Sequence, residues 1–345
     1  MNGKNLKKEK CKKEVLKRGE SETENIRKHT GSAASVRALM TVYYPRRQQL
    51  EHAKRCLEQV DALWICDNSP YSSQELFAGL ENCTYCLMPE NLGLSAAFNR
   101  LLKDDAAGWS EDDFLLFLDQ DSVLGKAHVK KLVRTYQHLK KAGIRVGCIG
   151  PVYYNKSSKR IEVPRIARNI SRYEKIVSSI ITSSMLCTYG DLRSIGFWNE
   201  KIFLDMADWD VCWRFQRAGY VCCLTGRTIF RHAVGEGEKR AGFLRIRTGK
   251  PFREYYETRD CLTLLGETYT PLRYRIRFLS MLTVRPLLHV LFLDEPEKRM
   301  YYIRKGIHDF QKGVYGRLTN DRFGNEQNDS GDGTAEQPAD TAAAQ

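Results

Sequence analysis

From residue 36 onward, short continuous apolar runs alternate with stretches in which apolar positions recur every three to four residues. The runs predict buried strands at 36–43, 62–67, 84–88, 114–119 and 146–151, and the periodic stretches predict helices at 48–60, 95–103 and 127–141. Strands alternating with helices build an α/β layer, here expected as a Rossmann-like, mostly parallel sheet flanked by helices, with a C-terminal helical extension. Ligands of such sheets gather beyond the carboxyl ends of the strands. Tyr43, Asp67, Asn68, residues 89–93, Asp119, Gln120 and Asp121 all fall at such ends and are expected to meet on one rim.

The two ends of the chain lack this pattern. Residues 1–35 hold ten Lys and Arg against five Glu with few apolar positions, too little to bury, so a disordered basic arm is expected there. A second disordered tail is expected over 317–345, leaving an α/β domain at 36–245 and a helical region at 246–316. The full length of 345 residues is ample for one sizeable core.

Charge adds a class of partner. Lys and Arg number 55 against 42 Asp and Glu, and a net charge of +13 suits a phosphorylated substrate, anionic lipid or nucleic acid. The excess sits at the chain ends and in the C-terminal region, whereas the central strand ends are acidic, which argues against a nucleic-acid groove. Eleven cysteines, several within apolar runs, fit a reducing cytosol. Cys83 and Cys86 have CxxC spacing but no companion pair, so buried thiols are the plainer reading.

Two acidic clusters carry candidate chemistry. Residues 114–119 form an apolar run ending in Asp119-Gln120-Asp121, and two carboxylates at a buried strand end require a positive partner. A hard divalent cation, Mg²⁺ or Mn²⁺, with substrate phosphate in its other positions, supplies that charge; capping of the next turn is the structural alternative. The second cluster, Asp205-Met206-Ala207-Asp208-Trp209-Asp210, leads into a helix-compatible run. In a helix starting near Ala207, Asp208 occupies the first turn, where the helix dipole favours an ionised carboxylate able to act as a general base. Asp210 and Arg214 stand at ion-pair spacing, and Trp209 is either a sugar platform or a core residue. His232 could complete a metal site or bind a departing diphosphate.

These segments together resemble the family 2 glycosyltransferases of the GT-A fold, and within them the rhamnosyltransferase-like branch. The resemblance spans about 36–265. It is carried by Thr41-Val42-Tyr43-Tyr44-Pro45, Ile65-Cys66-Asp67-Asn68-Ser69, Glu90-Asn91-Leu92-Gly93 with Asn99, Leu118-Asp119-Gln120-Asp121, Gly150-Pro151, Ile195-Gly196-Phe197, Asp205 with Asp208, and His232 with Gly235. It implies a nucleotide-sugar site made of Thr41, Tyr43, Asp67, Asn91, Gly93, Asn99, Asp119 and Gln120, with the cation held by Asp121 and His232. Asp208 is then the catalytic base, and Asp205 and Trp209 lie toward the acceptor. Where many relatives have Glu before the base, this chain has Ala207.

The implied reaction is an inverting transfer of a sugar to a hydroxyl of a saccharide or lipid-linked saccharide in cell-surface polysaccharide synthesis. dTDP-rhamnose is the leading donor, with UDP-galactose, UDP-glucose or UDP-galactofuranose behind it. A nucleotidyltransferase is a rival, but no glycine-rich basic loop opens the chain. A membrane- or nucleic-acid-binding protein without catalysis is the rival of another class. Residues 245–312 carry fourteen Lys and Arg against eight acids, and Arg273, Arg275, Arg277 and Arg285 beside Phe278, Leu279, Leu282, Leu287 and Leu288 suggest an interfacial helix on anionic lipid. The expected location is cytoplasmic, peripheral at the inner face of the plasma membrane; the oligomeric state is open.

Overall fold

The computed structural model describes residues 34–104, 108–155, 160–162, 164, 167–232, 238–241, 244–247, 249–319 and 321–323. In chain order these form β1 (Val36–Val42), α1 (Arg47–Leu57), β2 (Ala62–Asp67), β3 (Cys83–Leu87), α2 (Gly93–Leu102), β4 (Phe114–Asp119), α3 (His128–Lys141) and β5 (Val146–Asn155). There follow β6 (Arg160–Glu162), β7 (Ala167–Asn169), β8 (Glu174–Val177), β9 (Met185–Thr188), α4 (Tyr189–Ser194), α5 (Ala207–Arg217) and β10 (Val221–His232). The described chain ends with β11 (Glu238–Ala241), β12 (Leu244–Arg247), α6 (Arg253–Gly266), α7 (Leu272–Phe292) and α8 (Pro296–Gln311).

One sheet runs in the order β3-β2-β1-β4-β9-β5-β10-β8-β7, with β6 on β5, while β11 and β12 pair separately. The expected α/β class and all five predicted strands are present. Parallel pairing covers β3-β2-β1-β4 and β5-β10; beyond β4 the sheet becomes mixed because β9 lies antiparallel between β4 and β5. β9 is only Met-Leu-Cys-Thr, wholly buried, and so short an apolar run has no readable period.

β4 explains how the sheet positions a site. It is paired on both sides, which is why Phe114 to Leu118 are all buried without polar interruption. Successive side chains still alternate between faces. Phe114, Leu116 and Leu118 pack with Val129, Leu132 and Tyr136 of α3, whereas Leu115 and Phe117 pack with Phe98 of α2 and Val211 and Trp213 of α5. By the same alternation Asp119 emerges on the α2/α5 face. In β1, Leu39 faces α2/α5 and places Thr41 there as well.

The C-terminal helices close this face. Phe203 stacks on Tyr256 of α6 with centroids 4.5 Å apart, and Trp209 packs on Tyr274 and Phe278 of α7 at 5.2 and 6.0 Å. No described helix is long and apolar enough to cross a membrane. Part of the segment expected as tail is packed: Leu318 is buried with Tyr256 and Tyr302, Phe323 packs on Tyr301 at 5.2 Å, and Tyr302 donates to Asp321 at 2.8 Å. Two isolated apolar residues gave that segment no period, yet they complete an aromatic cluster. Residues 324–345 and nearly all of the expected basic arm lie outside the described residues.

Candidate active site

A cleft of about 670 Å³ opens at the carboxyl ends of β1 and β4. Thr41, Tyr43, Asn91, Gly93, Asp119, Gln120, Asp205 and Asp208 all line it, so the structure brings together eight of the residues singled out from sequence. The strand ends are tied to one another: Gln120 accepts from the Tyr43 amide at 2.9 Å, and Asn91 accepts from the Gly93 amide at 3.0 Å. Gly93 has φ +75°, and a Cβ there would stand 2.4 Å from the Phe203 carbonyl oxygen. Only glycine fits this approach between the Asn91 turn and the loop preceding α5.

That loop enters α5 through Met206, a non-glycine residue at φ +65°. The turn brings Asp205 and Asp208 to the cleft on either side of it. Asp208 lies in the first turn of α5, as expected, and accepts from the Trp209 amide at 2.8 Å. Its carboxyl meets the cleft but is otherwise enclosed by protein. Burial first, then Cys212, Asp205 and Asp119, push its pKa up to about 8 against the opposing amide hydrogen bond. Asp119 accepts a hydrogen bond from Ser183. Arg253 pairs with Asp205 at 2.8 Å.

Five expected residues are not among those that line the cleft. Asp67 is fully buried; it accepts from the Ser69 amide at 2.9 Å and from the Tyr85 hydroxyl at 2.6 Å, and so braces the β2 end while its neighbour Asn68 lines the cleft. Asn99 is buried, donating to the Trp198 carbonyl at 2.8 Å and to Glu200 at 2.7 Å, a tie between α2 and the α4–α5 loop. Trp209 turns into the α7 aromatic cluster rather than the cleft, with the Arg277 guanidinium 4.8 Å from its ring. Asp121 is exposed just past the rim. His232 closes β10, and its side chain lies outside the described residues. Asp210 and Arg214 form the expected pair at 2.7 Å.

The sequence reading missed the opposite wall. Lys250, Arg253, Glu254, Glu257, Arg285 and His289 line the cleft from α6, α7 and the turn before α6. His289 and Arg299 converge on Glu254 at 2.5 and 3.1 Å, and Arg285 pairs with Glu257 at 2.5 Å. Burial alone would raise Glu254, but His289, Arg285 and Arg299 more than offset it and hold the carboxyl below its usual range. Glu257 goes the other way, to about 7, through burial and the nearby Asp205. The cleft therefore has an acidic rim formed by β4 and α5, facing a wall of paired cations and carboxylates on α6 and α7 with Lys250 in the turn before α6.

Residues 49–191 match the glycosyl transferase family 2 model. The dTDP-rhamnosyl transferase RfbF of Shigella flexneri is 23% identical over 304 residues, which cover 84% of this chain and 99% of that protein. Among solved structures, the Pyrobaculum calidifontis mannosyltransferase PcManGT, in complex with GDP-Man and Mn²⁺, aligns at 12% identity with a TM-score of 0.49, over 88% of this chain and 83% of its own. S. aureus TarS aligns at 13% identity with a TM-score of 0.48, over 81% of this chain and 49% of its own.

Proposed function

We propose that this chain, whose residues 49–191 match the glycosyl transferase family 2 model, transfers rhamnose, with inversion, from dTDP-rhamnose to a hydroxyl of a saccharide or lipid-linked saccharide. The observation that carries the reading is the meeting of Asp119 and Asp208 in one cleft, with burial first and neighbouring acids after it pushing the Asp208 pKa up to about 8. A base whose pKa lies close to the working pH takes a proton from the acceptor hydroxyl without being permanently protonated or too weak. The named activity of the Shigella relative supports rhamnose as donor sugar; UDP-hexoses are the alternative.

In this reading Thr41, Tyr43, Asn91, Gly93 and Gln120 hold the nucleotide side of the donor, and Asp208 takes the acceptor proton as the hydroxyl attacks the anomeric carbon. Lys250 and Arg253 stand on the wall that meets the diphosphate. The donor set at the β4 end fits a hard divalent cation, because Asp119 and Asp121 offer only carboxylate oxygens, and the burial that raises Asp208, with Asp205 and Asp119 beside it, calls for positive charge. When bound, Mg²⁺ or Mn²⁺ neutralises charge that develops on the leaving nucleotide diphosphate.

A membrane surface is the second part of the proposal, at the inner face of the plasma membrane. α7 carries Leu272, Ile276, Leu279, Val284, Leu287 and Leu291 on one side, each more than half exposed, while Phe278 and His289 on the other side are buried. Exposed Arg273 and Arg277 flank this apolar stripe. A helix with one apolar and one cationic flank suits anionic lipid.

The testing experiment is a donor panel with Mg²⁺ or Mn²⁺, read as released nucleoside diphosphate, with saccharide and lipid-diphosphate acceptors. dTDP release from dTDP-rhamnose above the other donors supports the proposal. Preference for a UDP-sugar overturns the rhamnose assignment, and inactivity across the panel overturns the catalytic reading of the cleft.

A further inference from the structure

Three cysteines far apart in sequence meet in the core behind the cleft. Cys148 on β5 and Cys222 on β10 are register partners on neighbouring parallel strands, so their side chains share one face of the sheet. Cys212, on α5, packs down onto that face. All three are fully buried, their sulfurs lie within 4.8 Å of one another, and the Cys148 and Cys212 sulfurs are 3.9 Å apart.

We infer that Cys148, Cys212 and Cys222 form a three-thiolate site for a soft cation of the Cu⁺ type. Three sulfurs around a cation at about 2.3 Å form a triangle with edges of about 4 Å, close to the spacing observed. Thiolate sulfur selects soft cations over Mg²⁺ or Mn²⁺, so this site and the carboxylate cleft would not compete for the same ion. Among the described residues no fourth Cys, His, Asp or Glu joins the group, which favours an ion that accepts three ligands. Binding would release the thiol protons to solvent and leave negative sulfur in the core. Two N–H groups already point at that sulfur: the Ile180 amide donates to Cys212 at 3.5 Å and the Gln216 side chain donates to Cys222 at 3.7 Å.

CxxC spacing selects a different pair, and the structure separates it. Cys83 and Cys86 stand three residues apart on β3, an odd separation that sends their side chains to opposite faces of the strand. The three-cysteine site has no sequence signature because it is created by strand register and helix docking. It also has a mechanical consequence. Cys212 lies one turn beyond Asp208 on α5, so a bound ion would fasten the base-carrying helix to β5 and β10.

The test uses the full chain, purified reduced and metal-free, then refolded with Cu⁺ held by a competing chelator, and in parallel with Cd²⁺ alone. The expected result is one equivalent bound, a sulfur-to-metal charge-transfer absorption with Cd²⁺, and a rise in Tm. Cys148→Ser and Cys222→Ser should each weaken binding at least tenfold, while Cys83→Ser should leave it unchanged. Circular dichroism of each variant separates lost binding from lost fold, and the wild-type stoichiometry stands independently of the variants. No binding by the folded wild type, or binding that survives the Cys148→Ser/Cys222→Ser pair, overturns the site.

Discussion

Asp119 at the end of β4 and Asp208 in the first turn of α5 line the same cleft, near enough for the charge on Asp119 to raise the pKa of Asp208. Their meeting follows from alternation along β4, which sends Asp119 to the face that α5 covers, and from the left-handed turn at Met206 that starts α5 beside it. If Asp208 is the base, Asp208→Asn keeps the cleft's shape and removes the proton acceptor. Turnover should fall about 100-fold to 10,000-fold while donor affinity, measured by calorimetry, stays within a few-fold. An active variant would remove Asp208 from the role.

The raised pKa also fixes the direction of the pH dependence. The base must be ionised to accept a proton, so kcat/KM should fall as the pH drops below the Asp208 pKa. That acid limb should lie well above the ordinary carboxylate value of about 4, toward the value of about 8 set by burial and its neighbours. A divalent cation in the cleft stabilises the ionised form, so higher Mg²⁺ should move the limb to lower pH. Asp121→Asn should raise the Mg²⁺ concentration needed for half-maximal rate, and a limb unmoved by Mg²⁺ would count against a cation near Asp208.

Gly93→Ala should damage the cleft without touching its chemistry. The added methyl meets the Phe203 carbonyl oxygen at 2.4 Å, and φ +75° is strained for alanine. A loss of about 1 to 3 kcal/mol in denaturant unfolding is expected, together with a raised donor KM. Full stability would show that the loop before α5 moves aside.

The strand ends and both acidic clusters were legible because each is local: an apolar run stopping at Asp119-Gln120-Asp121, and a helix start at Ala207. Asp67 and Asn99 illustrate what local reading misses. Both sit in the expected segments, but Tyr85 and the adjacent Ser69 occupy Asp67, Trp198 and Glu200 occupy Asn99, and of these partners only Ser69 is local. The wall from α6 and α7 was invisible for the same reason: Arg285 reads as one arginine of an interfacial helix, and only the docking of α7 on α6 turns it and His289 toward Glu257 and Glu254. Trp209 was decided by that docking too, since Tyr274 and Phe278 capture its ring.

Glu254 gives a stability prediction with a definite sign. Its folded pKa is lowered, so its contribution is present above the unfolded pKa and is lost as the pH falls through the folded one. Glu254→Gln strands His289 and Arg299 beside a neutral amide and should cost about 3 kcal/mol at neutral pH. Chemical unfolding at several pH values should show the gap between wild type and variant at its full size above about pH 5 and narrowing in acid. A gap that widens in acid would mean that Glu254 is protonated in the folded protein.

The exposed stripe of α7 makes the membrane proposal measurable. Ile276 and Leu287 lie on it at 62% and 61% exposure, so replacing both with Asp should leave the fold intact, because neither contributes to the core. Each burial of such a side chain in the bilayer interface is worth about 1 kcal/mol or more, so the pair should weaken vesicle binding at least tenfold. Arg273→Ala tests the other component: it should reduce binding to vesicles containing anionic lipid by about 1 kcal/mol and leave neutral vesicles unaffected. Added salt should imitate the arginine change but not the aspartate change, since screening acts on charge alone. If wild-type protein stays in the supernatant with anionic vesicles at low salt, the stripe serves another purpose and the acceptor need not be held in a membrane.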